Sequence, residues 1–365
     1  MKEYAMKCVG RIYILARWLL LAGVCGVVLG LVAGLFGRSI TEVTAFRQSH
    51  GWMLYLLPVA GLVIVALYRL DPYKSDTNRV LEGIQSGTYV PLRMSPLIII
   101  STILTHAFGG SAGREGAALQ LGGSLGGTIG KWLKLDEYDQ KVMIMCGMSA
   151  AFSALFGTPL TATIFAMEVV SIGIMEYAAL VPCAIASLIA REMADLVGAR
   201  AEQFPVPASV AFDIKSGALI VLLALLCAAV SILFCEVLHR TERLFKSRMK
   251  NPWIRVVVGA LLVIVLAKVL GTTDYLGAGM NIVERAIHGE TEPAAFLLKI
   301  IFTAITLSCG FKGGEIVPTL FVGATFGCLF GQVTGLSPSL TAACGMAAVF
   351  CGVTNSPDFV PASEL

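Results

Sequence analysis

Between Gly109 and Gly130 the sequence reads GGSAGREGAALQLGGSLGGTIG, an uncharged run broken by one adjacent pair, Arg114 and Glu115. On either side of the pair, Met94–Gly113 and Gly116–Gly130 carry no charged residue. A charge at membrane depth is costly unless it is solvated or paired, so a carboxylate here marks a functional site. Glycines ahead of a helix-forming run leave the first backbone N–H groups of that helix unpaired and aimed at one point. With the helix dipole behind them, those amides form an anion site. A carboxylate in the same turn competes for that seat, so the stretch describes an anion site with its own acidic gate. The plainer reading, a structural ion pair between Arg114 and Glu115, is weak because adjacent residues on a helix do not face one another. Arg114 fits better as a structural partner or part of the anion's electrostatic surroundings.

The rest of the chain must place that turn in a bilayer. Of 365 residues, 56% are hydrophobic and only 14% charged, and the mean hydropathy is +0.80. Soluble domains are nearer a quarter charged, so a polytopic membrane protein is predicted. Charge-free runs give spans at Trp18–Gly37, Trp52–Tyr68, Met94–Gly113, Val142–Met167, Ser216–Cys235 and Val256–Ala267. The longest, Ile316–Pro357, exceeds the roughly twenty residues that cross a bilayer and must fold back or cross twice. The first span, preceded by Lys2, Lys7, Arg11 and Arg17, reads as a retained helix and not a signal peptide. A net charge of +3 gives no reason to expect a nucleic-acid partner. The basic residues Arg240, Arg243, Lys246, Arg248, Lys250 and Arg255 read as one short cytoplasmic loop, which puts the N-terminus in the cytoplasm as well. Ten cysteines lie mostly in apolar runs without a CxxC pair, which implies core residues and neither a disulfide framework nor a metal site. No cofactor is implied.

Taken in order, residues 38–51 read as a polar loop, Asp71–Arg93 as a cytoplasmic loop with a short helix, and 198–214 as an external loop. Gly157-Thr158-Pro159 breaks a long apolar segment into two half-helices, expected to meet near mid-membrane. An internal repeat is visible at an offset of about two hundred residues. SAAFSALFGTP from Ser149 matches AAVFCGVTNSP from Ala347, each preceded by Gly-Met, and GREGAALQLGGSLG from Gly113 lies over GEIVPTLFVGATFG from Gly314. Repeats with broken helices are the transporter pattern. The expected architecture is all-α, with residues 1–214 and 215–365 as two halves in inverted topology. A second anion-facing helix start is then expected at Gly313–Pro318.

GREG followed by QLGGSLG, FGTPLTATIFAMEV and KGGEIVPTLFVGATFG together resemble the CLC superfamily of chloride channels and anion/proton antiporters. VPLRMSP at Val90–Pro96, with Met94 where chloride-handling members carry serine, and GGEIVP, with Glu315, are similar to its fluoride branch. The resemblance implies a CLC-type fold and a fluoride/proton antiporter that exports fluoride through a bacterial inner membrane as a homodimer. Glu115 would be the gating and proton-carrying acid and Glu315 a second functional acid. Met94, the amides of Gly113–Gly116, Ile316 and Val317 would line the anion path. Three departures stand out. Val317 replaces the branch's usual threonine, Val169 replaces the second glutamate of the chloride antiporters and leaves Glu168 alone, and the chain ends in DFVPASEL after Pro357. The second repeat is therefore expected to be incomplete, as in a truncated copy.

Each candidate also has a plainer reading. Met94 alone would be a core gap-filler. Glu315 could pair in solvent with Lys312, Glu168 could cap or pack, and His106 could be a satisfied core histidine. Gly109-Gly110-Ser111-Ala112-Gly113 satisfies G-x-S-x-G, but that motif needs a preceding strand, and the chain is not expected to be an enzyme. The alternatives that remain open are a chloride or other-anion CLC protein and an inactive truncated copy.

Overall fold

Glycine and proline positions, together with capping side chains, punctuate the helices. The computed structural model describes residues 2–70, 80, 90–168, 176–199 and 213–354, the first eleven of these as backbone only. Helix α1 runs over Lys2–Ser49. The polar loop expected at 38–51 is therefore mostly helix. The segment SITEVTAFRQS contains neither glycine nor proline, and Arg38 pairs with Glu42 one turn on at 2.7 Å, which supports the helix through its polar end. A 3-10 turn, Gly51–Leu56, leads into α2, Leu57–Arg69. Helices α3, Met94–Ala107, and α4, Glu115–Trp132, flank the glycine turn. Helix α5, Glu137–Phe156, begins at Asp136, whose side chain accepts from the Asp139 amide, and ends at Gly157 with φ +69. Helix α6, Pro159–Glu168, restarts two residues later, so the expected break is present. Helix α7 spans Leu180–Leu196.

Helix α8, Ile214–Arg248, is 35 residues long. Arg240, Arg243, Lys246 and Arg248 thus lie on a helix, not in the loop that their charge suggested. Glu236 pairs with Arg240 and Glu242 with Lys246, each four residues apart, so the charges support helix here. Asn251 caps α9, Pro252–Leu270. Helices α10, Met280–Ile287, α11, Ala295–Cys309, α12, Ile316–Thr334, and α13, Pro338–Thr354, complete the described chain. The last apolar block is thus two helices separated near Gly335. Among the described residues six helices are long and apolar enough to cross a membrane. Most of Asp71–Arg93, most of the 198–214 segment, Val169 and the sequence after Thr354 lie outside the described residues.

The chain forms two compact units that interleave along the sequence. The first takes Met1–Glu42, Asp71–Ile100 and Ala117–Glu202, and the second Val43–Leu70, Ser101–Gly116 and Gln203–Leu365. In the first, α1 meets α7 through small residues. A side-chain carbon on Gly30 would stand 2.7 Å from Ala190 Cα, and one on Gly34 2.9 Å from Ala194 Cα. Such close backbone approach holds helices together where lipid removes the hydrophobic drive. Gly30→Val is expected to cost about 1–3 kcal/mol by forcing the helices apart, read as a lower melting temperature in detergent. Arg17 also ties α1 to α5 through Asp139 at 2.8 Å.

The sequence repeat recurs as packing. In the first unit a Cβ on Gly122 would strike Gly147 O and one on Gly126 would strike Met143 O. In the second unit Gly323 meets Gly345 O and Gly327 meets Thr341 O in the same manner. The aligned glycines therefore serve one purpose in both halves, backbone-on-backbone contact between consecutive helices. The second unit's core gathers Phe245, Val256, Phe302 and Phe321 in one cluster and Cys227, Phe234, Val322 and Val349 in another. The described cysteines are free thiols, mostly buried, as a core role requires.

Candidate functional site

Two irregular turns, each between two helices, build the site. Helix α3 stops at Ala107, and Gly109, with φ +91, turns the chain so that the Gly110 amide donates to Thr105 O at 2.8 Å. The segment then crosses α11: the Ser111 amide donates to Thr306 Oγ1 at 3.1 Å, and Ser111 Oγ lies 3.1 Å from Thr303 Oγ1. Helix α11 ends at Gly310, φ +118, and residues 311–315 lead to α12. The turns meet at one antiparallel bridge. Gly113 N donates to Gly314 O at 2.6 Å, and Gly314 N donates to Gly113 O at 2.8 Å. Glu115 opens α4 two residues after Gly113, and Ile316 opens α12 two residues after Gly314. The bridge thus pins two helix starts side by side.

Glu115 is fully buried. Its Oε2 accepts from the Val317 amide at 3.2 Å, while Oε1 is buried with no hydrogen-bond partner. The carboxylate therefore sits over the unpaired amides of α12, where the helix dipole favours a negative group. It occupies an anion's seat. The glycines make the room: a Cβ on Gly314 would lie 2.8 Å from Glu115 Oε2, and one on Gly113 would strike the same oxygen. A Cβ on Gly116 would lie 3.3 Å from Gly314 Cα. Arg114, 7% exposed, adds its positive field to the Glu115 carboxylate from the same turn.

The structure therefore brings together Gly113, Arg114, Glu115, Gly116, Ile316 and Val317. Ile316 and Val317 are buried at the start of α12. Thr319, the first hydroxyl beyond Val317, donates to Ile316 O at 2.6 Å. Glu315 stands at the N-cap position of α12, half-buried, but its side chain makes no cap hydrogen bond. Lys312 has its ammonium 4.3 Å from the centre of the Tyr68 ring. Met94 opens α3, fully buried, and belongs to the first compact unit, whereas the Glu115 turn belongs to the second. Glu168 is exposed at the end of α6. His106 is a buried histidine whose Nδ1 bonds Thr102 O at 2.9 Å. The G-x-S-x-G stretch follows a helix, and Ser111 spends its hydroxyl on Thr303.

Sequence reasoning missed Gly314 as Gly113's bridge partner, the hydroxyls of Thr303 and Thr306, and two buried cations, Arg47 and Lys299. Lys299 could have been found by the rule that found Glu115, since it interrupts the apolar run FLLKIIFTAITL. Arg47 sits in a stretch that reads as polar loop and carried no such signal.

An all-α protein of apolar helices, with two helix N-termini pinned together over a buried acid, is an anion-pathway membrane protein in its geometry. A profile of the family described as Voltage gated chloride channel matches residues 67–357. A Pseudomonas syringae pv. tomato protein named "Chloride/fluoride channel protein" is 33% identical over 352 residues, covering 94% of this chain and 78% of the relative. The crystal structure of a CLC-type fluoride/proton antiporter superposes with a TM-score of 0.88 at 34% identity, covering 94% of this chain and 88% of that one. A slow cyanobacterial Cl-/H+ antiporter shares the fold, with a TM-score of 0.77 at 19% identity over 91% and 85% of the two chains. The chain belongs to the voltage gated chloride channel, or CLC, family, and is a multi-pass anion transporter of that fold.

Proposed function

We propose that this chain is a fluoride/proton antiporter that exports fluoride from a bacterial cytoplasm, with Glu115 as gate and proton carrier. The observation that carries the reading is the Glu115 carboxylate seated on the Val317 amide, with its second oxygen unpartnered. An ionised carboxylate and an anion cannot share one desolvated seat cheaply. Protonation removes that competition, frees the amides of α12 for the anion, and gives the side chain a proton to carry when it leaves. Transport of the anion one way thereby requires transport of a proton the other way. Relatives named for chloride/fluoride and for fluoride/proton antiport support fluoride as the anion.

In this reading Glu315 is a second functional acid, placed at the start of the helix whose amides Glu115 covers, and Met94 lines the pathway from α3. Residues 1–214 and 215–365 form the two inverted halves, and two copies assemble in the inner membrane. The N-terminus and the basic end of α8 face the cytoplasm. The protein works as a transporter and not as an enzyme. Chloride is the second substrate to consider, because Val317 offers no hydroxyl beside the amide. The test is efflux from proteoliposomes followed with fluoride and chloride electrodes, with and without a proton gradient. Uphill fluoride movement driven by protons is the expected result. Chloride flux of equal size would overturn the choice of fluoride, and absence of both fluxes from correctly inserted protein would overturn the transporter reading.

A further inference from the structure

Helix α8 ends and α9 begins at one short turn, residues 249–251, and cations crowd around it. Helix α9 has 19 residues, a length of about 28 Å, and carries no charge between Arg255 and Lys268. That length matches the hydrocarbon core of a bilayer, about 30 Å. A cation–aromatic pair marks each of its ends. The Arg69 guanidinium carbon lies 5.2 Å from the centre of the Trp253 ring, and Lys268 Nζ lies 5.2 Å from the centre of the Tyr55 ring. Amphipathic aromatic rings settle at headgroup level, so the turn at 249–251 lies in a headgroup plane. Arg243 and Arg248 are within about 10 Å of that turn along α8 and reach the same plane.

Packing fixes which face of α8 looks outward. Phe245 is buried in one cluster with Phe311 and Val256, and Leu238 O accepts from Ser308 Oγ at 3.5 Å. Arg243, Leu244, Ser247 and Arg248 consequently point away from the core, and all four are exposed. Glu236 pairs with Arg240, and Glu242 with Lys246. Among the described residues Arg243, Arg248 and Lys250 have no such acid, and with exposed Arg69 they form a face of uncompensated positive charge. Two apolar side chains stand among these cations, Leu244 and Ile254, each more than half exposed. Cations beside bare apolar surface match an amphiphile better than a soluble phosphate ester. The far end of α9 has the opposite balance, since residues 271–292 carry Asp274, Glu284, Glu290 and Glu292 against Arg285.

We propose that Arg69, Arg243, Arg248 and Lys250 dock the phosphodiester headgroups of anionic phospholipids, with Leu244 and Ile254 against the upper acyl chains. In the orientation proposed above the lipids belong to the cytoplasmic leaflet; the docking does not depend on which ion the chain carries. The inner face of the same helix end touches Ser308 and Phe311, on the segment that leads into α12. A docked headgroup layer therefore holds the end of α8 against that segment and stabilises the fold there.

The test is lipid binding by the full chain in detergent, titrated with phosphatidylglycerol or phosphatidylcholine. Native mass spectrometry counts the bound lipid, and melting temperature is followed over the same titration. Phosphatidylglycerol is expected to bind more tightly than phosphatidylcholine, by about tenfold or more, and to raise the melting temperature further. Arg243→Gln, Arg248→Gln and Lys250→Gln are each expected to weaken phosphatidylglycerol binding about fivefold, and the triple variant about a hundredfold. Arg243→Lys is expected to keep the affinity, because an anionic surface selects charge and not guanidinium shape. Lys215→Gln, at the opposite end of α8, is expected to change nothing. Added salt should weaken binding to the wild type, a measurement that stands even if the triple variant does not fold. Equal binding of the two lipids, unchanged phosphatidylglycerol affinity in the triple variant, or indifference to salt would overturn the proposal. Soluble glycerophosphate that competes as well as phosphatidylglycerol would also overturn it, by assigning the cations to a free phosphate ester. The readout is bound lipid and not ion flux, so a chain that moves no fluoride can still pass this test, and one that pumps fluoride can fail it.

Discussion

Glu115→Gln is expected to abolish proton-driven uphill fluoride transport while leaving a downhill anion pathway open. The wild-type carboxylate accepts the Val317 amide proton from a fully buried position. An ionised acceptor there excludes an anion, and a protonated one does not. Glutamine has the shape of the protonated acid but exchanges no proton in the working pH range, so the anion seat stays available and coupling is lost. Removing a charged hydrogen-bond competitor worth roughly 1.5–3 kcal/mol should tighten anion binding by about ten- to a hundredfold. Vesicles loaded with fluoride and given an inward proton gradient provide the measurement. Uphill transport by the variant equal to wild type would assign the proton to another group, and Glu315 would be the next to change.

The second large effect is expected at a residue with no side chain. Gly314→Ala places a carbon 2.8 Å from Glu115 Oε2, 2.6 Å from Gly116 N and 3.0 Å from Glu115 N. Two of these neighbours are backbone atoms, so no rotamer change relieves the contact. The Gly113–Gly314 bridge must open, and the two helix starts must part. Transport should be lost together with about 1–3 kcal/mol of stability, read as a fall in melting temperature. Comparison with Gly335→Ala separates this effect from glycine loss in general. Gly335, unlike Gly314, has positive φ, so alanine there carries backbone strain, but a carbon meets nothing within 4 Å. If Gly314→Ala transports normally and melts no lower than Gly335→Ala, the bridge does not set the site.

Much of the site was legible because its parts are local. Glu115 stood out because one carboxylate in an apolar run carries its own cost, wherever the chain folds. The break at Gly157-Thr158-Pro159 was legible for the same reason, since glycine and proline act on their own turn. The repeat was also legible, and its glycines serve identical contacts in both halves. Charged segments misled. Residues 38–49 and 239–248 read as loops by polarity, yet both are helix, because acid–base pairs four residues apart support a helix as well as solvent supports a loop.

The sequence alone determined the class of this protein. An apolar composition, a buried acid after glycines and a second glycine-led helix start are properties of short stretches and survive without coordinates. Tertiary structure decided which groups meet. It paired Gly113 with Gly314, set the Glu115 carboxylate on the amide of Val317, and brought Arg47 and Lys299 to one loop although 252 positions separate them in the chain (299 minus 47). No spacing rule reaches that far. Contacts between distant segments follow from how whole helices pack, and the charge pattern of one segment holds no record of which other segment it will face.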